Sequence, residues 1–479
     1  MQSREPITCA IMTLDARPWQ AGRFCSHRLQ TYVMSSFTIS VVNQFAMSLL
    51  AREVGCGRNS LAGKEVESST NCIQVDSKPL CGLPSPHIRC NRTPNNLVCQ
   101  EKSAMINRKV LAYLVVGITF TLLAVLVGTV VAQGSLTSQE QLGKLLFFDK
   151  NLSLNNNQSC AACHAPSVGW TGPDKAINAH GGVYEGSIPG AFGNRKPPAA
   201  AYAGDSPILH WDGEKWVGGM FWDGRATGWT LGDPLAEQAK GPFLNPKEQA
   251  IPNPATLVAK VLASTYAPLF TAQCPGTDTA ELYNCIGRAI ATYERSSEVS
   301  QFTSKYDYWL KGQAKLTGQE QWGLALFRGK GKCAGCHVEP LFTDFTYDNL
   351  GVPKNLENPA TIADPTWVDP GLGGFLKGAG FPEAVSAAEW GKQKVPTLRN
   401  VALQPDKNFV KAYSHNGYFK SLEEIVHFYN TRDVPGAGWP APEVAATVNH
   451  TEMGNLGLNH GEELAIVAFL KTLSDGYKP

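Results

Sequence analysis

Cys160-Ala161-Ala162-Cys163-His164 and Cys333-Ala334-Gly335-Cys336-His337 are the two stretches on which the fold turns. Each is a Cys-x-x-Cys-His motif. At that spacing two thioethers fix the edge of a porphyrin, and the adjacent His ligates its iron from the proximal side. The rival reading is a zinc or redox Cys-x-x-Cys followed by a chance His. It loses ground because both copies follow the same sequence pattern. Two covalent c-type haems are therefore expected, attached through Cys160, Cys163, Cys333 and Cys336, with His164 and His337 as iron ligands.

The shared pattern is an internal repeat. Leu136-Thr137-Ser138-Gln139-Glu140-Gln141-Leu142-Gly143 matches Leu316-Thr317-Gly318-Gln319-Glu320-Gln321-Trp322-Gly323, and each runs on to a Phe, Phe147 or Phe327. Both open with Thr-x-x-Glu, in which the Thr and Glu side chains reciprocally satisfy a helix's first amides. Apolar residues such as Leu142, Leu145 and Leu146 follow at helical spacing. Each half also closes on an amphipathic pattern. Leu282, Ile286, Ala289 and Ile290 make one stripe; Leu464, Val467, Leu470 and Leu473, widened by Ile466 and Phe469, make the other. Helix, haem loop and closing helix form the plan of a cytochrome c domain.

The expected fold class is all-α. Two cytochrome c-like domains, 134–312 and 313–479, each carry one haem. The Gly- and Pro-rich stretches around 181–198 and 350–380 read as long loops over haem faces.

Upstream of the repeat, Arg108-Lys109 precedes a nearly unbroken apolar run, 110–132. A basic flank and an apolar run make an export signal, with Val130-Val131-Ala132 as a cleavage site; the run is also long enough to span a bilayer. Both readings of 105–133 stand: a cleaved signal peptide, or an uncleaved anchor helix with the rest outside. Either puts the haems on the periplasmic side. Met105 stands just before this segment, and 1–104 lacks sustained periodicity. It reads as a mis-assigned extension starting before the true first residue, or as a disordered one.

Seven of the thirteen cysteines lie before residue 100, an odd set without metal-ligand spacing, and no convincing disulfide framework. Cys274 and Cys285 are left as a disulfide pair in an oxidising compartment or as two buried thiols. The net charge of +1 lacks the basic excess that a nucleic-acid partner demands.

The chain resembles the bacterial di-haem cytochrome c peroxidases, including the MauG-type enzymes, over about 136–479. The carriers are both Cys-x-x-Cys-His motifs, then Phe221-Trp222-Asp223-Gly224-Arg225-Ala226, Glu237-Gln238-Ala239-Lys240-Gly241-Pro242, Asn245-Pro246-Lys247-Glu248 and Val395-Pro396-Thr397-Leu398-Arg399-Asn400. The resemblance implies that the first haem is the peroxide site. It makes Glu248 the distal acid-base group, Gln238 its distal amide partner and Trp222 the aromatic bridge between the haems. Thr227-Gly228-Trp229-Thr230 is extra relative to the simplest members and is expected to reshape the mouth of that site. His180 matches a labile distal ligand, against a plain loop His with no iron contact. For the second haem, a Met ligand is expected at a fixed distance after the His of Ser414-His415-Asn416-Gly417. Tyr429 stands there, as in MauG-type members, and shares a helix face with Leu422, Ile425 and Val426. Met453 is the other candidate, and Tyr429 is favoured. The resemblance also implies calcium between the domains, but Lys196 stands where an Asn ligand is expected, with Asn194 nearby.

The function implied is reduction of hydrogen peroxide to water, with electrons from a small cytochrome c or copper protein. Two alternatives remain. One is a MauG-like oxidase acting on a protein side chain or other organic substrate through a high-valent iron state. The other is a non-catalytic electron carrier, which has no use for Glu248 and Gln238. A homodimer and a membrane anchor are further expectations.

Overall fold

The computed structural model describes residues 88–93, 96–101 and 135–479. The apolar run 110–132, the cleavage site and Met105 lie outside the described residues. The chain divides at Ile106–Asn107. In the first unit, Ile88–Thr93 and Asn96–Glu101 form an antiparallel hairpin with Cys90 opposite Cys99. All that follows concerns the second unit, which is mostly helical; its described ladders are two residues long per strand.

The repeat folds as its caps dictate. Thr137 accepts from the Glu140 amide at 3.3 Å, and Glu140 accepts from the Thr137 amide at 2.7 Å, starting helix Ser138–Phe148. Thr317 and Glu320 do the same at 3.3 and 2.6 Å for helix Gly318–Arg328. Each opening helix packs on its closing helix: Ser138–Phe148 on Thr279–Glu294, and Gly318–Arg328 on His460–Lys471. The matched glycines explain the crossing. A Cβ on Gly143 would overlap the Ala289 carbonyl, and one on Gly323 would overlap the Ala465 carbonyl. Only glycine lets the backbones approach so closely.

Two apolar cores result. The first gathers Leu142, Leu146, Phe147, Trp170, Ile286, Ile290 and Tyr293. The second gathers Tyr306, Phe327, Phe342, Val426, Ile466 and Phe469. Each such side chain contributes about 1.5–3 kcal/mol when fully buried. Two details differ from expectation. Leu464 is 37% exposed, because the crossing at Ala465 turns Ile466, Phe469, Leu470 and Leu473 inward instead. Helix Lys305–Leu310, ahead of the expected boundary at 312, packs Tyr306 into the second core. Cys274 and Cys285 form a disulfide.

Between the halves run buried polar ties. Arg195 binds Asp369 through Nε and Nη2, both at 2.6 Å, and Asp223 at 2.6 Å. Lys411 Nζ donates to three carbonyls, of Val168, Asn400 and Leu403. Among the described residues no single helix is long and apolar enough to cross a membrane.

Candidate active site

Each Cys-x-x-Cys-His stretch lines a cavity, and the two cavities measure about 200 and about 220 Å³. The cysteine pairs Cys160–Cys163 and Cys333–Cys336 carry no disulfide. His164 Nδ1 lies 3.2 Å from the Trp170 carbonyl, and His337 Nδ1 lies 2.8 Å from the Phe342 carbonyl. A carbonyl only accepts, so each Nδ1 carries the proton and each Nε2 keeps a free lone pair. Burial lowers the pKa of His164 to about 4 and shifts His337 the same way, favouring the neutral imidazole that ligates iron. Two free thiols and an oriented imidazole on one apolar cavity are the donor set a c-type haem requires. Both cavities fit that group.

The first cavity brings Cys160, Cys163, His164, Trp222, Gln238 and Glu248 together. Gln238 stands on helix Pro234–Leu244, which Asp233 caps by accepting from the Leu235 and Ala236 amides. The chain then folds back. Gln249 donates its amide to the Pro242 carbonyl at 3.1 Å, and Ile251 donates to Phe243 at 2.8 Å. Asn245 Oδ1 accepts the Lys247 amide at 3.0 Å. That turn carries Glu248 into the cavity beside the Gln238 helix. Burial raises the Glu248 pKa; Arg225 and the Asn245 side chain oppose the shift.

Trp222 lines both cavities, with Lys196, Pro198 and Ala199. Its indole N–H donates to the Lys196 carbonyl at 2.8 Å, and its ring lies 6.4 Å from that of His415. His415 Nε2 in turn lies 3.2 Å from a buried Glu443 oxygen.

His180 lies outside the first cavity. Its side chain is 71% exposed and lies 3.1 Å from Glu357. It caps the short helix Lys175–Ala179, and its carbonyl accepts from Lys420. The extra stretch 227–230 does not line the first cavity either. Trp229 is 51% exposed, donates to the Leu209 carbonyl at 2.8 Å and packs beside Phe375 and Phe381.

Tyr429 and Met453 both line the second cavity, as do Leu422, Ile425 and Val426 from the Tyr429 helix. Burial raises the Tyr429 pKa. At the expected calcium position, Lys196 Nζ donates to Thr171 Oγ1 and the Pro197 carbonyl, each at 2.9 Å. Those oxygens already face a cation, and the Asn194 carbonyl accepts from Asn358.

Sequence reasoning assigned no role to Arg225 or Glu294, which also line the first cavity. Arg225 sits 3.7 Å over the Phe221 ring and pairs with Asp223. Glu294 had a visible signal. It continues the buried stripe Ile286–Ile290 by one turn, an acid at a core position.

The chain is similar to known proteins. A family model described as di-haem cytochrome c peroxidase matches residues 137–315. The methylamine utilization protein MauG of Paracoccus denitrificans is 36% identical over 364 residues, covering 71% of this chain and 89% of that protein. The cytochrome c551 peroxidase of Nitrosomonas europaea is 31% identical, covering 70% and 79%. The crystal structure of the diheme peroxidase BthA from Burkholderia thailandensis superposes with a TM-score of 0.62 at 31% identity, covering 72% and 87%.

Proposed function

The chain belongs to the di-haem cytochrome c peroxidase family, and from that premise we propose that it reduces hydrogen peroxide to water in the periplasm. Cys160 and Cys163 hold one c-type haem with His164 as ligand; Cys333 and Cys336 hold the other with His337. The run 110–132 exports the chain, as a cleaved signal or a retained anchor. Electrons come from a small cytochrome c or copper protein. One observation carries the reading: His164, Gln238 and Glu248 line a single cavity, and Trp222 walls it off from the second.

A haem bound in the first cavity supplies an iron that takes peroxide and exchanges electrons. Glu248 takes a proton from one peroxide oxygen and returns it to the other. Its raised pKa brings it nearer the operating pH, where such transfer is most effective. The Gln238 amide orients the peroxide. Arg225 steadies the Glu248 carboxylate. Lys196 fixes the Trp222 indole through its carbonyl, so an electron crossing the wall meets an aromatic ring.

The test adds peroxide to the purified holoprotein and then reduced cytochrome c. Rapid, repeated oxidation of the cytochrome is expected. No spectral response to peroxide defeats the proposal. A second reading is a MauG-like oxidase of a protein side chain or other organic substrate. Tyr429 on the second cavity, together with the likeness to MauG, favours it. A long-lived oxidised state that ignores reduced cytochrome c decides for that reading.

Two further results are expected. Tyr429 rather than Met453 completes the second haem. Tyr429→Phe then alters that haem's spectrum, Met453→Leu does not, and the oxidised protein lacks a near-infrared methionine-to-iron band. Presence of that band decides for Met453. Calcium is not needed between the halves, because Lys196 supplies the cation; its pKa, lowered by burial to about 8, leaves it mostly charged at neutral pH. Dialysis against a calcium chelator therefore leaves turnover and both haem spectra unchanged. A loss of turnover restored by added calcium contradicts this.

A further inference from the structure

The first cavity carries a second carboxyl besides Glu248. Glu294 ends helix Thr279–Glu294 and lines the cavity one turn beyond Ile290. It is 4% exposed, and its Oε2 has no hydrogen-bond partner among the described residues.

The charged groups around it are committed elsewhere. Arg295 donates to both oxygens of Asp233, at 2.9 and 2.8 Å, so the guanidinium serves a different carboxylate. On helix Pro234–Leu244, Glu237 accepts the amides of Gly228, Thr230 and Leu231, and Lys240 donates to Asn284. Lys144 on the opening helix binds Glu298, and Lys260 on helix Pro254–Leu262 binds Asn151 and Asn156. Glu248 is a further acid on the same cavity, and Cys160 stands beside Glu294.

An unpaired carboxylate ion in such a place is strongly disfavoured, so the group stays neutral instead. Burial pushes the Glu294 pKa up to about 8; Arg295 opposes the shift and Asp233 adds to it. Gln158 and Gln249 also line the cavity, and the Oε1 atom of each lacks a partner among the described residues. These acceptors suit water, which can return a proton to Glu294.

We propose that Glu294 is the proton store of the first cavity, holding a proton at neutral pH and giving it to peroxide oxygen during reduction. The proposal rests on the peroxide-reducing reading above. Reduction breaks the O–O bond and consumes two electrons, from the small redox protein, and two protons. Glu248 only shifts a proton already on the peroxide. Glu294 gives one of the two consumed protons and regains it from water; the other enters from solvent directly.

The experiment compares holoproteins by infrared spectroscopy and by turnover. The wild type is expected to show a protonated-carboxyl band at neutral pH that shifts in D2O. Glu294→Gln removes the band and Glu248→Gln keeps it. Glu294→Gln also lowers kcat roughly 100-fold, the scale of a lost proton donor, with KM for peroxide little changed, and Glu294→Asp restores much of the rate. Absence of the band in the wild type, or its survival in Glu294→Gln, overturns the proposal. Band loss with normal turnover overturns the supply role alone. A wild type that reduces no peroxide, yet loses the band on substitution, overturns the peroxide reading and the supply role with it, while the buried proton stands.

Discussion

Glu248→Gln is expected to leave both haems attached and to remove most peroxide turnover. The amide matches the carboxyl in shape, so the turn 245–250 and the Gln238 helix beside it keep their backbone bonds. An amide does not take up a proton at neutral pH, so the peroxide proton has no carrier. General acid–base groups of this kind are worth about 10²–10⁴-fold in rate. Steady-state oxidation of reduced cytochrome c measures the loss, and haem staining after denaturing electrophoresis checks attachment. In the wild type the carboxylate is the working form. Its pKa lies above the ordinary carboxyl value because of burial, so the rate rises with pH through that raised pKa. Glu248→Gln is expected to lose this acid limb. Near-normal turnover in the variant would defeat the assignment of Glu248.

Arg399→Met is expected to cost about 3–5 kcal/mol of stability, the scale of a broken buried ion pair. The Arg399 side chain is 1% exposed and binds Asp307 at 2.8 Å. Its Nε donates to the Pro340 carbonyl at 2.9 Å, and Thr397 Oγ1 donates to Leu341 at 2.6 Å. The guanidinium also lies 5.0–5.5 Å from the rings of Phe302, Phe342 and Tyr202. Removing it leaves Asp307 buried without its cation. It also loosens the 340–342 turn, whose Phe342 carbonyl orients His337. Denaturant unfolding followed by circular dichroism gives the stability change, and the second haem's spectrum reports the ligand. Arg399→Met with Asp307→Leu is expected to recover much of the loss, since no lone charge remains. A loss below about 1 kcal/mol in the single variant contradicts the role.

Much of this molecule is written in short stretches of chain. The haem attachments need only five consecutive residues, because thioether and imidazole chemistry is local. The opening helices follow from Thr137 with Glu140 and from Thr317 with Glu320, whose caps close within one turn. The shared face of Leu422, Ile425, Val426 and Tyr429 follows from helical period alone, and those four residues line one cavity. Glu248 and Gln238 were found differently, through the ordered motifs of a family; nothing in their own spacing points to iron.

Tertiary structure decided the rest. It placed Glu294 and Arg225 with Glu248, although the three come from separate elements. It turned Leu464 outward, because the register of a helix crossing is set by Gly323 against Ala465 and not by hydrophobicity alone. It left His180 at the surface, since a loop's length does not fix its path. It put Tyr429 and Met453 on one cavity. The sequence by itself determined the two Cys-x-x-Cys-His stretches proposed to hold the haems and the helices that frame them, because those are contacts between neighbours in the chain. Which acids share the first cavity is a contact between distant segments, and only packing brings those together.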